Sequence, residues 1–211
     1  NFRAQFLIES LIDLDKNLRA VGSGLIVVKG NPAVEIGKLA QQFQVDKVFA
    51  KKEIAYEELV TKTKVEIELK KINCLLETFA KSTLYHSDDL PFSVNDTPNV
   101  FTDFRKIVER ASTIRDLFPQ PTQIKSPSID TINLPSLHEL GLVDCVFDCR
   151  AAIEFKGGET EGYKRVYHYL SETHAIATYK ETRNGMIGEN YSSKFSAWLA
   201  LGCLSPKIIY H

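Results

Sequence analysis

The spacing of its leucines predicts the first helix of the chain. Residues 2–18 carry four leucines at intervals of four, three and four positions: Leu7, Leu11, Leu14 and Leu18. These intervals place the leucines on one face of an α-helix, and Phe2 and Phe6 widen that face. The pattern therefore predicts an amphipathic helix whose apolar side packs against a sheet.

Short apolar runs alternate with longer charged segments after this helix. Residues 25–28, 46–50 and 75–82 have the composition of strands, and the unalternated run at 25–28 is typical of a strand buried on both faces. Between the strands we expect one helix that begins at Pro32 and a second, charged helix over residues 54–72. This order, with its short links, predicts a parallel α/β sheet.

The pattern changes in the middle of the chain. A short helix is predicted over residues 101–111, and residues 116–136 hold four prolines with little periodicity, which indicates a long connection. Helical periodicity returns over residues 159–173 and again over residues 192–201. We therefore place a domain boundary within residues 116–150.

Composition and charge narrow the class of protein. The chain has 211 residues, 44% of them hydrophobic, as in ordinary globular domains. Its net charge of −1 makes no electrostatic case for nucleic acid binding. No apolar run approaches the roughly 20 residues that a membrane-spanning helix needs. Because the chain starts with Asn1 and a helix precedes the first strand, we expect the N-terminal strands of the sheet to be missing.

Metal and catalytic motifs are not found in the sequence. The four cysteines are scattered, and the pair at Cys145 and Cys149 has no second pair to complete a zinc site. The five histidines show no metal-ligand spacing either. We therefore expect no bound metal, and we identify no catalytic residue.

Two glycine-containing turns have alternative interpretations. Gly157 and Gly158 precede a predicted helix, where exposed backbone N–H groups could cradle a phosphate. They lack the spacing and the lysine of a P-loop, so a turn that caps the helix is the other interpretation.

A cluster of hydroxyl groups follows the second turn, which Asn184, Gly185 and Gly188 mark. Ser192, Ser193 and Ser196 surround Lys194, and Arg183 lies upstream. Serines at the start of a helix satisfy its free N–H groups, and the same groups together with a lysine also suit an anion. Three serines are more than one cap needs, so a phosphate site competes with simple capping here.

Several segments resemble one protein family, in the same order along the chain. The stretch YKETRNGMIGENYSSKFSAWLALGCLSPKIIY resembles the start of the flavin-binding helical domain of the photolyase/cryptochrome family, and most of all the DASH-type cryptochromes. GGETEGYKRVYHYL resembles the Gly-Gly-Glu helix of that family. LYHSDDLPF and VFTDFRKIVE resemble the DASH connection between its domains, and residues 2–18 and 25–40 resemble its N-terminal α/β domain.

The resemblance implies an FAD site near the end of the chain. In the family, a segment of this pattern holds the diphosphate of FAD, which by position implies contacts from five consecutive residues: Ser192, Ser193, Lys194, Phe195 and Ser196. Tyr179 matches a family tyrosine near the flavin. Two positions depart from the pattern, with Ala197 where proline is usual and Lys207 where arginine is common.

The resemblance also implies a second chromophore, the antenna 5,10-methenyltetrahydrofolate. An acidic residue touches the pterin in DASH proteins, and Glu53 and Glu57 are the candidates because they follow a predicted strand. The alternative is an exposed helix start at which acidic residues favour the helix dipole.

By resemblance, the chain comprises three parts and serves a light-driven reaction. Residues 1–115 form an α/β photolyase-type antenna domain, residues 116–150 a connector, and residues 151–211 the start of an all-α FAD-binding domain. The implied function is repair of cyclobutane pyrimidine dimers, mainly in single-stranded DNA, by electron transfer from reduced FAD. The alternatives are a signalling photoreceptor without repair activity and an unrelated nucleotide-binding α/β protein with a helical cap.

Overall fold

The fold divides into two compact units. The structure is a computed structural model that describes residues 1–80, 83–185 and 188–211. One unit comprises residues 28–116, and the other comprises residues 1–27 together with 117–211. The first helix therefore groups with the C-terminal half of the chain, whereas the domain division expected from the sequence stays a prediction.

The unit of residues 28–116 contains a parallel two-stranded sheet and three helices. Its elements are α2 (Pro32–Gln42), β1 (Lys47–Lys51), α3 (Tyr56–Lys70), β2 (Leu75–Phe79) and α4 (Phe101–Ala111), with short 3-10 turns at Ser87–Asp89 and Val94–Asp96. The strands pair in parallel with Lys47 opposite Leu75 and Lys51 opposite Phe79. The predicted parallel α/β arrangement is thus confirmed.

Local sequence signals explain where α2 begins. The Asn31 side chain accepts a hydrogen bond of 3.0 Å from the Ala33 backbone N–H, and Pro32 occupies the first helical position of α2. The apolar sides of α2, α3 and β2 meet in a core of small and aliphatic side chains: Ala33, Ala40, Val65, Leu69 and Cys74.

Two strand predictions need correction or limitation. Residues 25–28 form no strand, so that prediction is wrong. A strand requires a neighbour that pairs with its backbone groups, and β1 and β2 pair with each other instead. The predicted strand at 75–82 is observed as Leu75–Phe79, and Lys81 and Ser82 lie outside the described residues.

The other unit is helical. It comprises α1 (Phe2–Ala20), α5 (Glu159–Tyr167), α6 (Tyr179–Thr182), α7 (Ser196–Leu201) and α8 (Pro206–Tyr210). A π-helical turn at His168–Glu172 extends α5, and a 3-10 turn at Ala175–Thr178 precedes α6. One of its core clusters joins α1 to the C-terminal segment through Phe6, Trp198 and Leu204.

The start of α5 is seated on α1 through its backbone N–H groups. Gly157 donates to Glu9 Oε2 at 2.7 Å, Gly158 to Ser10 Oγ at 2.9 Å, and the Thr160 backbone to Asp13 Oδ2 at 3.0 Å. These donors at the helix start therefore already have acceptors within the protein. The capping interpretation of the two glycines is confirmed, and the phosphate-cradle interpretation is wrong.

Glycine is required at this seat by a close backbone approach. A Cβ atom on Gly157 would lie 2.1 Å from the Phe6 carbonyl oxygen, and Gly158 has a φ of 103°. The Trp198 indole, which donates to the Lys156 carbonyl at 3.0 Å, packs beside the same seat. A side chain at position 157 would therefore separate α5 from α1.

We expect Gly157→Ala to lower the free energy of unfolding by about 3 kcal/mol, because the added methyl group overlaps the Phe6 carbonyl and breaks the seat. The matched control is Gly37→Ala inside α2, where the new Cβ meets its nearest neighbour at 3.4 Å and alanine favours the helix. Thermal unfolding followed by circular dichroism measures both. Equal melting temperatures for the two variants would contradict this account of the seat.

Candidate functional site

A cleft of about 600 Å³ lies within the helical unit and contains the candidate ligand-binding groups. We call it the large cleft. Its walls come from the first turns of α1, from residues 145–155 and from residues 192–196, which we call the serine segment. Ser192, Lys194 and Ser196 line the large cleft, so the structure brings three of the predicted site residues together.

The side chains of the serine segment have no hydrogen-bond or ion-pair partner in the part of the chain that the structure describes. Among the described residues, the hydroxyls of Ser192, Ser193 and Ser196 make no hydrogen bond, and Lys194 has no carboxylate within 4.0 Å. Hydroxyls and an ammonium group without partners are available to an anionic ligand. Ser193 is half-buried but is not among the residues that line the large cleft.

The helix after this segment begins later than the sequence predicted. Helix α7 starts at Ser196 and has six residues, so Ser192 and Ser193 lie in the preceding loop and do not cap it. The prediction of a helix from residue 192 is wrong, because Lys194 has a left-handed backbone conformation that an α-helix cannot contain. Ser192 and Lys194 are consequently loop residues, whereas Ser196 is the first residue of a helix so short that its dipole contributes little.

Lys194 has a left-handed backbone conformation, with a φ of 57°. A residue with a Cβ atom pays about 1 kcal/mol for this conformation, which glycine adopts freely. Strain of this kind concentrates at binding sites, where the surrounding structure maintains it. The strained turn brings the side chains on either side of Phe195 to the large cleft.

The carboxylates beside the large cleft are already engaged. Glu9 accepts the Gly157 N–H, Asp148 pairs with Arg150, and Glu154 lies 3.3 Å from the ammonium of Lys156. The Arg150 guanidinium holds the pKa of the Asp148 carboxyl below its usual range. These contacts offset the negative charges, so Lys194 faces the large cleft as a cation without a counterion among the described residues.

The serine segment is held in place from behind by a buried arginine. The Arg165 side chain is 6% exposed and donates to the carbonyl oxygens of Ser193, Ser192 and Glu189 at 3.0, 3.2 and 2.9 Å. It also donates to Asn190 Oδ1 at 3.0 Å. Burial lowers the pKa of the Arg165 guanidinium, and the charge of Glu189 opposes that shift.

Phe195 and Tyr179 are placed differently from the serines. The Phe195 ring is buried and meets the Tyr169 ring edge-on at 5.7 Å, so only its backbone is left to contact a ligand. Tyr179 is 40% exposed at the start of α6 and does not line the large cleft. Burial raises the pKa of Tyr169, and Tyr179 contributes to the same shift. Cofactor contacts by Phe195 and Tyr179 therefore stay predictions.

Glu53 and Glu57 lie in the other unit. Glu53 follows β1 at the carboxyl end of the parallel sheet and forms an ion pair of 2.8 Å with Lys51. Glu57 is exposed in the first turn of α3. Both carboxylates are accessible where ligands of parallel sheets usually bind, and neither lines the large cleft.

The sequence interpretation missed Arg165 and the wall formed by residues 145–155. Arg165 is buried on the same face of its helix as Gly162 and Tyr169, at helical spacing of three and four. An arginine on the inward face of a helix was the available signal. No comparable signal existed for residues 145–155, which form no regular element.

Metal clusters and membrane-spanning helices are both absent from the residues that the structure describes. In the described ranges 1–80, 83–185 and 188–211, no group of three or more metal-ligating side chains could hold a metal ion. Within the same ranges, no helix combines the length and the apolar character that crossing a membrane requires.

We expect Lys194→Gly to have a free energy of unfolding about 1 kcal/mol greater than Lys194→Ala, because both lose the ammonium but only glycine relieves the left-handed strain. Chemical denaturation of the two variants measures the difference. Equal stability of the two variants would show that the turn at position 194 is not strained.

Comparisons with known proteins identify the family and the fold. The DNA photolyase family matches residues 1–124. The chain is 44% identical to a cryptochrome DASH of Gloeobacter violaceus, over 99% of this chain and 42% of that protein. It matches the crystal structure of a Synechocystis cryptochrome with a TM-score of 0.92 and 38% identity, over 99% of this chain and 44% of that one.

A more distant structure shares the fold. An archaeal photolyase from Sulfolobus tokodaii, whose structure contains two FAD molecules, matches with a TM-score of 0.73 at 18% identity, over 99% of this chain and 43% of that one. The chain spans less than half the length of the relatives that it matches. With its parallel α/β unit, its helical unit and the match over residues 1–124, the chain belongs to the DNA photolyase family.

Proposed function

We propose that the full-length protein binds FAD and holds the diphosphate of the cofactor at the serine segment. The observation that carries this proposal is the convergence of Ser192, Lys194 and Ser196 on one cleft without partners among the described residues. Family membership supports FAD as the anion-bearing ligand.

The serine segment suits a diphosphate by its chemistry. The hydroxyls of Ser192 and Ser196 donate hydrogen bonds to phosphate oxygens, and the Lys194 ammonium supplies a charge-assisted contact. The carboxylates nearby accept hydrogen bonds or pair with other cations, which reduces their repulsion of the ligand. When bound, the flavin supplies light absorption and electron transfer, while these residues bind and orient it.

We further propose that the full-length protein repairs cyclobutane pyrimidine dimers, mainly in single-stranded DNA, by electron transfer from reduced FAD. Membership of the DNA photolyase family supports this reaction. A dimer reaches a buried flavin only when it leaves the base stack, and single strands lower that cost. The chain itself has a net charge of −1, so the positive surface for DNA has to come from a local patch or from the rest of the protein.

A second chromophore is proposed in the α/β unit. Glu53 and Glu57 are accessible at the carboxyl end of β1, and carboxylates accept hydrogen bonds from the N–H groups of a pterin. The distant Sulfolobus photolyase, with its two FAD molecules, is described as implying a novel light-harvesting cofactor. For this protein we propose 5,10-methenyltetrahydrofolate at Glu53 and Glu57.

The FAD proposal predicts that Lys194→Ala combined with Ser196→Ala raises the Kd for FAD of the full-length protein at least tenfold, because charge-assisted contacts to the diphosphate are lost. Fluorescence titration with FAD measures the change. The matched control combines Lys16→Ala and Ser171→Ala, which are exposed and outside the large cleft.

The control should bind FAD like the wild type. An unchanged Kd in the Lys194 and Ser196 variant would place the diphosphate elsewhere. Illumination of the wild type with a dimer-containing single-stranded oligonucleotide then tests the reaction, and FAD binding without repair would favour the signalling alternative.

The antenna proposal predicts that Glu53→Gln and Glu57→Gln together weaken the binding of methenyltetrahydrofolate about tenfold, since an amide is a poorer acceptor than a carboxylate. Absorbance titration measures the effect. Glu58→Gln, an exposed neighbour on α3, is the control and should bind normally. Wild-type folate affinity in the double variant would move the antenna site away from these residues.

A further inference from the structure

We propose that Arg165 is a positioning residue that fixes the polarity of the serine segment, so that donors face the ligand and carbonyl oxygens face away. The inference rests on the proposed binding of a diphosphate at this segment. It concerns a residue that does not line the large cleft and therefore acts through the backbone that it holds.

The contacts of Arg165 are concentrated on backbone acceptors. Its Nε atom donates to the Ser193 carbonyl at 3.0 Å, and Nη2 donates to the carbonyls of Ser192 and Glu189 at 3.2 and 2.9 Å. The guanidinium has only donors and is buried, so each accepting carbonyl also satisfies a group that would otherwise be costly to bury.

Several contacts hold the Arg165 guanidinium in one position, so it can fix the position of the loop. Its carbon lies 5.4 Å from the centre of the Tyr169 ring, and its Nη1 atom lies 3.4 Å from Glu189 Oε1 and 3.0 Å from Asn190 Oδ1. Helix α5, which carries Arg165, is itself seated on α1 at its first turn. Arg165 therefore transmits the position of a packed helix to a loop.

The orientation of the carbonyl oxygens matters for an anionic ligand. A carbonyl oxygen carries partial negative charge and would repel a phosphate that approached it. Arg165 lines a smaller, neighbouring cleft of about 390 Å³, which shares residues 152–154 with the large cleft, and binds the carbonyls of Ser192 and Ser193. Ser192 and Lys194 line the large cleft, whereas Arg165 does not. The segment thus presents acceptors to the arginine and donors to the ligand.

The same contacts support the strained residue. The peptide units of Ser192 and Ser193 immediately precede Lys194, whose φ of 57° requires a fixed approach of the chain. Without the arginine, the loop could relax to a conformation in which the lysine leaves the large cleft. A lysine at position 165 would retain the charge but could not hold three carbonyls in one plane, because it lacks the planar fork.

The test uses the full-length protein and the Kd for FAD. We expect Arg165→Lys to raise that Kd about tenfold, because the carbonyls and Lys194 lose their orientation. The matched control is Lys164→Met, an exposed neighbour on α5 whose ion pair with Glu161 does not touch the loop. The control should bind FAD like the wild type, and tenfold weakening by the control as well would overturn the proposal.

A double-mutant cycle separates positioning from general structural support. When Lys194→Ala is already present, Arg165→Lys should raise the Kd only about threefold, since the charged group among those that it positions is absent and the Ser192 side chain remains. A merely structural role predicts the same tenfold effect in both backgrounds, and that result would overturn the proposal. Where Arg165→Lys does not fold, Asn190→Ala, which removes one acceptor of the guanidinium, should raise the Kd about threefold.

The outcomes for this inference and for the proposed function are distinct. Failure of the wild type to bind FAD would reject the proposed function. Wild-type binding that is weakened by Lys194→Ala but unaffected by Arg165→Lys and Asn190→Ala would reject only the positioning role.

Discussion

The seat of α5 on α1 is the contact on which the candidate site depends. The backbone N–H groups of Gly157, Gly158 and Thr160 donate to side chains of α1 that lie about 147 positions earlier in the chain. The free donors of a helix start are costly to bury, so their satisfaction by α1 fixes both helices together. Two walls of the large cleft belong to α1 and to residues 145–155, which precede α5 in the chain.

A short series of contacts connects this seat to the ligand-binding groups and fixes their position. Helix α5 carries Arg165, Arg165 holds the carbonyls of Ser192 and Ser193, and the constrained backbone leads into the left-handed Lys194. The contacts between Arg165 and the two carbonyls are hydrogen bonds. In this account the protein prepares the site before the ligand arrives, which lowers the cost of ordering it on binding.

The spacing of apolar residues in the sequence was sufficient to predict several helices and strands correctly. The helix at 101–111 and the strand pairing of 46–50 with the segment from Leu75 depend on apolar spacing, and both are observed. The prediction of a strand at 25–28 was wrong, because strand formation depends on a neighbouring strand as well as on composition. Arg165 was missed because its partners lie 24 to 28 positions away and arginine is normally exposed.

The most direct test of the account is a crystal structure of the full-length protein with FAD. The account predicts that the diphosphate oxygens lie within hydrogen-bond distance of Ser196 and Lys194, with Arg165 still bound to the carbonyls of Ser192 and Ser193. A diphosphate bound outside the large cleft, or a serine segment whose carbonyls have turned away from Arg165, would contradict it.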